Sequence, residues 1–405
     1  RSLPQGGGGA LRMNLGKRHE NLVLALSVLS LTVLGLIMIY SATNVTAGSS
    51  TRYGFDPAYF FKRQILFLAV GISIAMGLSR LDHDFYRRRI RWILGATFLL
   101  LLMVHVPGIQ HSANGASRWI NLRLFTFQPS DLAKFVLLAF AAWSIDRKGE
   151  DPKQGYRAFL PMLAVMGLFV AVILKEPDFG TAVVILVSFL VIVFIAGFPW
   201  KLLAAFGAAG VAGAALLILA KPYRVARVRA FLDPISQAST AGYQVVQSLI
   251  AFSNGGLLGA GVGGGKQKLF YLPEIHTDYI FSVIGEELGF AGVTLVGACF
   301  VVMVWVGYRI ARRARDPFGK YLAMGISSVI GIQALMNMMV GLSMLPPKGM
   351  VLPFLSYGGS SLVLHLGAVG VLMNVSLKGA DGLVTADDRR RGRDRRARLS
   401  WDRAC

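Results

Sequence analysis

Apolar residues fall along this chain in uninterrupted runs, broken at charges, prolines and glycine clusters. About 20 helical residues cross the ~30 Å hydrocarbon core of a bilayer, and many of these runs approach that length. The pattern predicts ten spans, at 21–41, 63–79, 92–106, 131–145, 158–175, 180–197, 201–220, 283–308, 321–342 and 358–377. The third, fourth and sixth are short, which predicts tilt or a broken helix there. The expected fold class is an all-α integral membrane protein with ten transmembrane helices and a large extracytoplasmic loop, 221–282, between helices 7 and 8. Residues 21–378 form the membrane domain, preceded by a leader over 1–20 whose first twelve residues, RSLPQGGGGALR, read as flexible or foreign.

Composition agrees: 54% of the 405 residues are hydrophobic and 16% charged, against roughly a quarter charged in soluble proteins. The net charge of +21 would suit nucleic acid, but the cations sit between apolar runs and in the tail, as membrane topology requires. No nucleic-acid partner is expected. Lys17, Arg18, Arg80, Arg87–Arg89, Arg91, Arg147, Lys148, Lys153, Arg157, Arg309, Arg312, Arg313, Arg315 and Lys320 all fall on one side of ten spans. That side is the cytoplasm, so both termini are inside. The arginine-rich segment 379–405 reads as a disordered tail on the membrane surface, or as a docking peptide. Cys299 and Cys405 form no disulfide framework or metal-ligand spacing, and no cleavable signal peptide is evident.

The opposite face holds loops 42–62, 107–130, 221–282 and 343–357. The longest is basic, with Lys221, Arg224, Arg227, Arg229, Lys266 and Lys268 against Asp233, Glu274 and Asp278. Long loops translocate regardless of charge, so these cations imply something anionic outside. Arg224 and Arg227, three apart, share a helix face and suit a pyrophosphate. The glycines of 255–265 contain a formal G-x-G-x-x-G with no strand before it, which leaves flexible connection as the better account.

Polar chemistry concentrates in Gly263–Gly289, GGGKQKLFYLPEIHTDYIFSVIGEELG. Glu274, His276 and Asp278 alternate after Pro273; an extended segment would put all three on one side, and a helix would separate them. Glu286 and Glu287 read as charges favouring a helix N-terminus. In SRWINLRLFTFQPSDLAK, Arg118, Trp119 and Arg123 suit an interface, Ser130 or Asp131 caps a helix, and Lys134 either snorkels or points into a polar cavity. In KEPDFGT, Glu176 and Asp178 bracket Pro177, as a solvated capping turn or as a site. Pro346, Pro347 and Pro353 break a helix before SYGGSS restarts one, and broken helices at membrane depth belong where they are buried or line a cavity.

These motifs resemble the SEDS family (shape, elongation, division and sporulation) of ten-span peptidoglycan polymerases. The likeness rests on Asn337, Pro346, Gly349, Pro353 and Ser356–Ser361, with RWI, QPS-x-x-x-K, PDFG, FLDP and LPE-x-HTD-x-IF-x-VIGEELG, over about 20 to 377. KLFYLPEIHTD and LPPKG look more like the division (FtsW-like) branch than the elongation (RodA-like) one. Ser343 and Asp131 depart from the usual residues. The resemblance implies a glycosyltransferase that polymerises lipid II at the septum of the bacterial inner membrane and releases undecaprenyl pyrophosphate. It implies a catalytic Asp278 and substrate contacts from Glu274 and His276; Lys134, Arg224 and Arg227 are the candidates for the phosphates, and Lys268, Glu176, Asp178, Ser356 and Ser360 complete the candidate set. A divalent cation, Mg or Mn, could share the phosphate work, with Asp278 as a possible ligand; no organic cofactor is expected. Expected partners are lipid II, a class B penicillin-binding protein transpeptidase, other divisome membrane proteins and membrane lipid. A lipid II flippase and a non-catalytic scaffold are the competing readings.

Overall fold

The computed structural model describes residues 7–107, 110–113, 116–122, 125–148, 155–220, 222–240 and 242–378. Arg123, Lys153, Lys221, the start of the leader and the tail from 379 lie outside the described residues. Among the described residues ten long helices overlap the apolar runs: α1 (Gly7–Gly48), α2 (Tyr59–Arg80), α3 (His83–Met103), α4 (Pro129–Lys148), α5 (Gly155–Lys175), α6 (Phe179–Ile195), α7 (Trp200–Leu219), α10 (Ile280–Arg312), α11 (Pro317–Gly341) and α12 (Gly359–Lys378). Among the described residues six helices are long and apolar enough to cross a membrane: α1 from His19, α2, α7, α10, α11 and α12.

The expectation of an all-α chain needs correction. A three-stranded antiparallel sheet is formed by β1 (Gln110–Ala113), β2 (Ala116–Asn121) and β3 (Thr126–Phe127). Gln110 pairs with Ile120, which also pairs with Phe127. The paired Ala113 and Ala116 are separated in sequence by Asn-Gly, the dipeptide that two-residue hairpin connections favour. The loop 221–282 also carries structure, α8 (Pro222–Leu232) and α9 (Tyr243–Gly255).

Helix α11 lies at the centre, with 72% of its most apolar window buried, whereas none of the corresponding window of α7 is buried. A helix that is apolar all round and uncovered by protein is suited to lipid. Close helix contacts use small residues: a Cβ at Gly307 of α10 would stand 2.0 Å from Ser327 Oγ of α11. An apolar cavity of about 250 Å³ lies among α2, α3, α4, α11 and α12, lined by Leu78, Ile90, Phe135, Ile326 and Val371 among others.

Ion pairs gather one set of helix ends. Glu20 at the base of α1 accepts from Arg309 (3.1 Å) and Arg313 (2.7 Å). Arg87 pairs with Asp146 (2.8 Å), His83 with Asp316 (2.8 Å), and Asp82 with Lys378. These are residues of the segments assigned above to a single side of the membrane.

The opposite end of α10 is broken. Gly289 has φ 64° and ψ −161° inside the helix, a conformation open to glycine and costly for side chains. The freed main-chain groups are paired with the glycine-rich segment. Ala260 N and Gly261 N donate to Glu286 O (2.9 Å) and Glu287 O (3.0 Å), and Phe290 N and Ala291 N donate to Gly256 O (2.9 Å) and Leu257 O (3.1 Å). The approach is tight: a Cβ at Gly259 would sit 2.2 Å from Glu287 O, and φ there is +81°. The glycines of 255–265 are therefore a fitted surface against α10, and the expectation of a flexible connection fails because each backbone group of the kink needs a partner.

Candidate active site

Asp278 stands just before α10, at the end of the polar loop. Thr277 N and Asp278 N both donate to Glu274 O (3.2 and 3.1 Å), so 274–278 is a turn, not an extended segment. Glu274 takes a left-handed conformation, φ 50°. The three alternating polar residues consequently diverge. Glu274 is exposed, Asp278 is half-buried, and His276 turns to an aromatic wall. The imidazole lies 4.8 Å from the ring of Phe60 and 5.7 Å from that of Tyr357, whose backbone N donates to His276 O at 2.9 Å.

The Asp278 carboxyl faces the segment between α11 and α12. A Cβ at Gly349 would lie 3.3 Å from Asp278 Oδ2 and 3.7 Å from Arg118 Nη1. Burial, reinforced by the charge of Glu274, raises the Asp278 carboxyl to about 7, while the Thr277 hydrogen bond, Arg118 and Arg227 pull the other way. A carboxyl poised near neutrality is suited to accept a proton from a hydroxyl and release it again. Arg118, which the sequence placed only at an interface, is thus part of the site. It is delivered by β2, and its Nε and Nη2 are held by Glu176 O (3.1 Å) and Pro177 O (2.6 Å).

Glu176 and Asp178 are both buried beside this arginine. Asp178 caps α6 through Thr181 N (3.2 Å) and accepts from Gln128 Nε2 (3.1 Å) and Ser130 Oγ (3.2 Å). It caps as expected, yet in a dry setting rather than a solvated one. Among the described residues neither oxygen of Glu176 has a hydrogen-bond partner, and burial, then the charge of Asp178, raises its carboxyl to about 9. Lys348 of the LPPKG loop is half-buried, with its ammonium depressed by burial and supported by Asp178.

Several other candidates are occupied within the protein. Lys268 donates to Gly263 O (2.6 Å), Glu287 Oε1 (3.0 Å) and Ser41 Oγ (3.2 Å), which uses all three ammonium hydrogens. Lys134 is 1% exposed, bonded to Asp131 Oδ1 and Gln333 Oε1 at 2.6 Å each. Its ammonium neither snorkels nor faces open space. In this structure both ammoniums are thus occupied by protein partners. Ser356 Oγ accepts from Leu352 N (2.9 Å) and shapes its own turn; Ser360 is half-buried in the first turn of α12. On α8, Arg224 turns back to Leu217 O (2.7 Å) and the ring of Phe179 (4.7 Å), while Arg227 remains exposed with its charge acting on Asp278. The two arginines thus face different surroundings in this structure.

Glu286 and Glu287 are not helix-terminal charges. Glu286 accepts from Lys266 N (2.9 Å) and Gln267 N (3.1 Å), and Glu287 from Gly263 N (2.9 Å), Ser41 Oγ and Lys268. Two adjacent carboxylates thus staple the base of the loop that ends in Asp278, and tie it to α1 through Ser41.

A family described as "Cell cycle protein", spanning FtsW, RodA and SpoVE, matches residues 21–380. The chain belongs to this FtsW/RodA/SpoVE family. A relative from Geobacter sp. (strain M18), named "Probable peptidoglycan glycosyltransferase FtsW", is 43% identical over 361 residues, covering 89% of this chain and 97% of its own. "Stage V sporulation protein E" of Bacillus subtilis (strain 168) is 40% identical over 365 residues, covering 90% and 99%. Among solved structures, a chain described under "Structural coordination of polymerization and crosslinking by a peptidoglycan synthase complex" is similar with a TM-score of 0.70 at 27% identity, covering 88% of this chain and 97% of that one. The Thermus thermophilus rod shape determining protein RodA is similar with a TM-score of 0.62 at 27% identity, over 87% and 95%. The family's fold therefore extends over nearly all the described helices.

Proposed function

We propose that this member of the family is an FtsW-like peptidoglycan glycosyltransferase that polymerises lipid II. The observation that carries the reading is the Asp278 carboxyl, raised to about 7 and set beside Arg118 and Gly349 in a loop outside the helices. The acceptor 4-hydroxyl loses its proton to Asp278 as its oxygen bonds to the anomeric carbon of the donor sugar. The bond from that carbon to the undecaprenyl pyrophosphate oxygen breaks, and the lipid leaves as the anion. Arg118 and Arg227 offset the charge growing on the pyrophosphate. The prenyl tail lies in the apolar cavity among α2, α3, α4, α11 and α12.

All ten long helices cross the bacterial inner membrane, with both termini and the Glu20, Arg87 and Asp316 ion pairs on the cytoplasmic side. Asp278 faces outward at the septum, where a class B penicillin-binding protein crosslinks the strands and other divisome membrane proteins assemble. Among the described residues Asp278 belongs to no group of three ligating side chains, so a metal here would draw its remaining ligands from substrate. A lone carboxylate can share Mg or Mn with substrate phosphates. A flippase would be favoured by unpaired charge among the helices, whereas Lys134 is paired with Asp131 at 2.6 Å.

The test is polymerisation of labelled lipid II by the purified complex with its transpeptidase, comparing wild type with Asp278→Asn at matched thermal stability. Glycan strands from wild type alone support the reading. Equal synthesis by both removes Asp278 from the chemistry, and an intact complex that makes none turns the case toward transport or scaffolding.

A further inference from the structure

Helix α11 carries two buried carboxamides, Gln333 and Asn337, four residues apart and so on one face. Both grip the segment that passes Asp278. Asn337 Nδ2 donates to the Asp278 carbonyl (3.1 Å) and also to the Met350 carbonyl. Gln333 Nε2 donates to the next carbonyl, Val351 O (2.9 Å), while its Oε1 accepts from Lys134 Nζ (2.6 Å). An ammonium has only donors, so Lys134 fixes which end of the Gln333 carboxamide faces it and turns the N–H end toward Val351. Lys134 is itself held by Asp131 at 2.6 Å.

One side chain, Asn337, therefore binds the backbone of Asp278 to the residue that follows Gly349. Gly349 is the backbone against which the Asp278 carboxylate rests, with a Cβ there only 3.3 Å from Oδ2. The shared donor thus ties the backbone that carries the carboxylate to the backbone on which it rests.

We propose that Asn337 is a positioning residue for Asp278, and that Gln333, oriented by Lys134, holds the other half of the clamp. The proposal rests on Asp278 being the acid–base group of the proposed reaction. The burial of Lys134 then has a purpose that needs no contact with substrate: the Asp131–Lys134–Gln333–Val351 chain sets, from inside the helix bundle, the wall on which the carboxylate is aimed.

The test is the pH profile of kcat/KM for lipid II polymerisation by the purified complex with its transpeptidase, for wild type, Asn337→Ala and Gln333→Glu. Gln333→Glu keeps an acceptor for Lys134, removes the donor to Val351 and adds a carboxylate charge that the Lys134 ammonium faces, so it remains informative if Asn337→Ala fails to fold. Misplacing a catalytic group by about 1 Å costs on the order of 100-fold in rate, and Asn337→Ala should approach that loss. Gln333→Glu should lose about ten-fold, in line with a partial displacement. The charges that face Asp278 are Glu274, Arg118 and Arg227, and neither variant alters them. Freed from Gly349, the carboxyl meets more water, and the acid limb should move toward lower pH by about one pH unit. A profile of wild-type shape that is merely scaled down would mean fewer folded molecules and would overturn the proposal, as would unchanged rates. A wild-type complex that makes no strands would overturn it together with the glycosyltransferase reading, whereas variant effects without the pH shift sink the clamp alone.

Discussion

Glu176→Gln should stabilise the protein, and increasingly so as pH rises. The wild-type carboxyl is buried, lacks a hydrogen-bond partner among the described residues and is raised from 4.5 to about 9. The charge of the neighbouring Arg118 opposes that rise without overcoming burial, and its Nε and Nη2 are committed to the main-chain oxygens of Glu176 and Pro177. In the unfolded chain Glu176 releases its proton above about pH 4.5, whereas the folded chain keeps it until about pH 9. Stability is therefore lost as pH rises between those values. At pH 7 the loss amounts to about 3 kcal/mol, from roughly 1.4 kcal/mol per pH unit. Glutamine has the shape of the neutral acid and releases no proton in either state, so it avoids the loss. Thermal midpoints of wild type and Glu176→Gln in detergent should converge near pH 4.5 and separate by several degrees at pH 7 to 8. A midpoint gap that does not depend on pH, or a glutamine variant that is the less stable at pH 7, would show that Glu176 is ionised and paired, and would refute the reasoning.

Two further outcomes follow from the staple at the base of the loop. Glu287→Gln leaves the Lys268 ammonium buried without its counter-charge, which should cost about 3–5 kcal/mol, and adding Lys268→Met should restore part of it; a thermal double-mutant cycle with no coupling would discount the pair. Gly259→Ala places a Cβ 2.2 Å from Glu287 O at φ +81°, so the Ala260 and Gly261 amides should exchange faster with deuterium, and unchanged protection there would mean the backbone adapts.

The helical framework was legible because apolar runs and their charged borders mark helices: each long described helix overlaps such a run. The sheet was missed although its signal was present, since Asn114-Gly115 between Ala113 and Ala116 is a hairpin dipeptide that the loop reading passed over. The Asp278 loop was recognised from its density of polar residues, but the fate of each cation was not. Lys134 and Lys268 look alike in sequence to any phosphate-binding lysine, and only the partners 199 and 19 residues away, Gln333 and Glu287, reveal that they are occupied. Arg118 posed the reverse problem. Its role depends on a strand pairing and on two carbonyls at Glu176 and Pro177, none of which local spacing encodes.

The break at Gly289 has a mechanical consequence. A continuous α10 would act as a rigid lever, so that any rocking of its membrane portion would swing Asp278 through the full length of the rod. Interrupted there and bonded to the 256–261 backbone on both sides of the break, it behaves as two rods meeting at a gusset plate. The aspartate is therefore braced by the backbone of the outer loop as well as by the span beneath it.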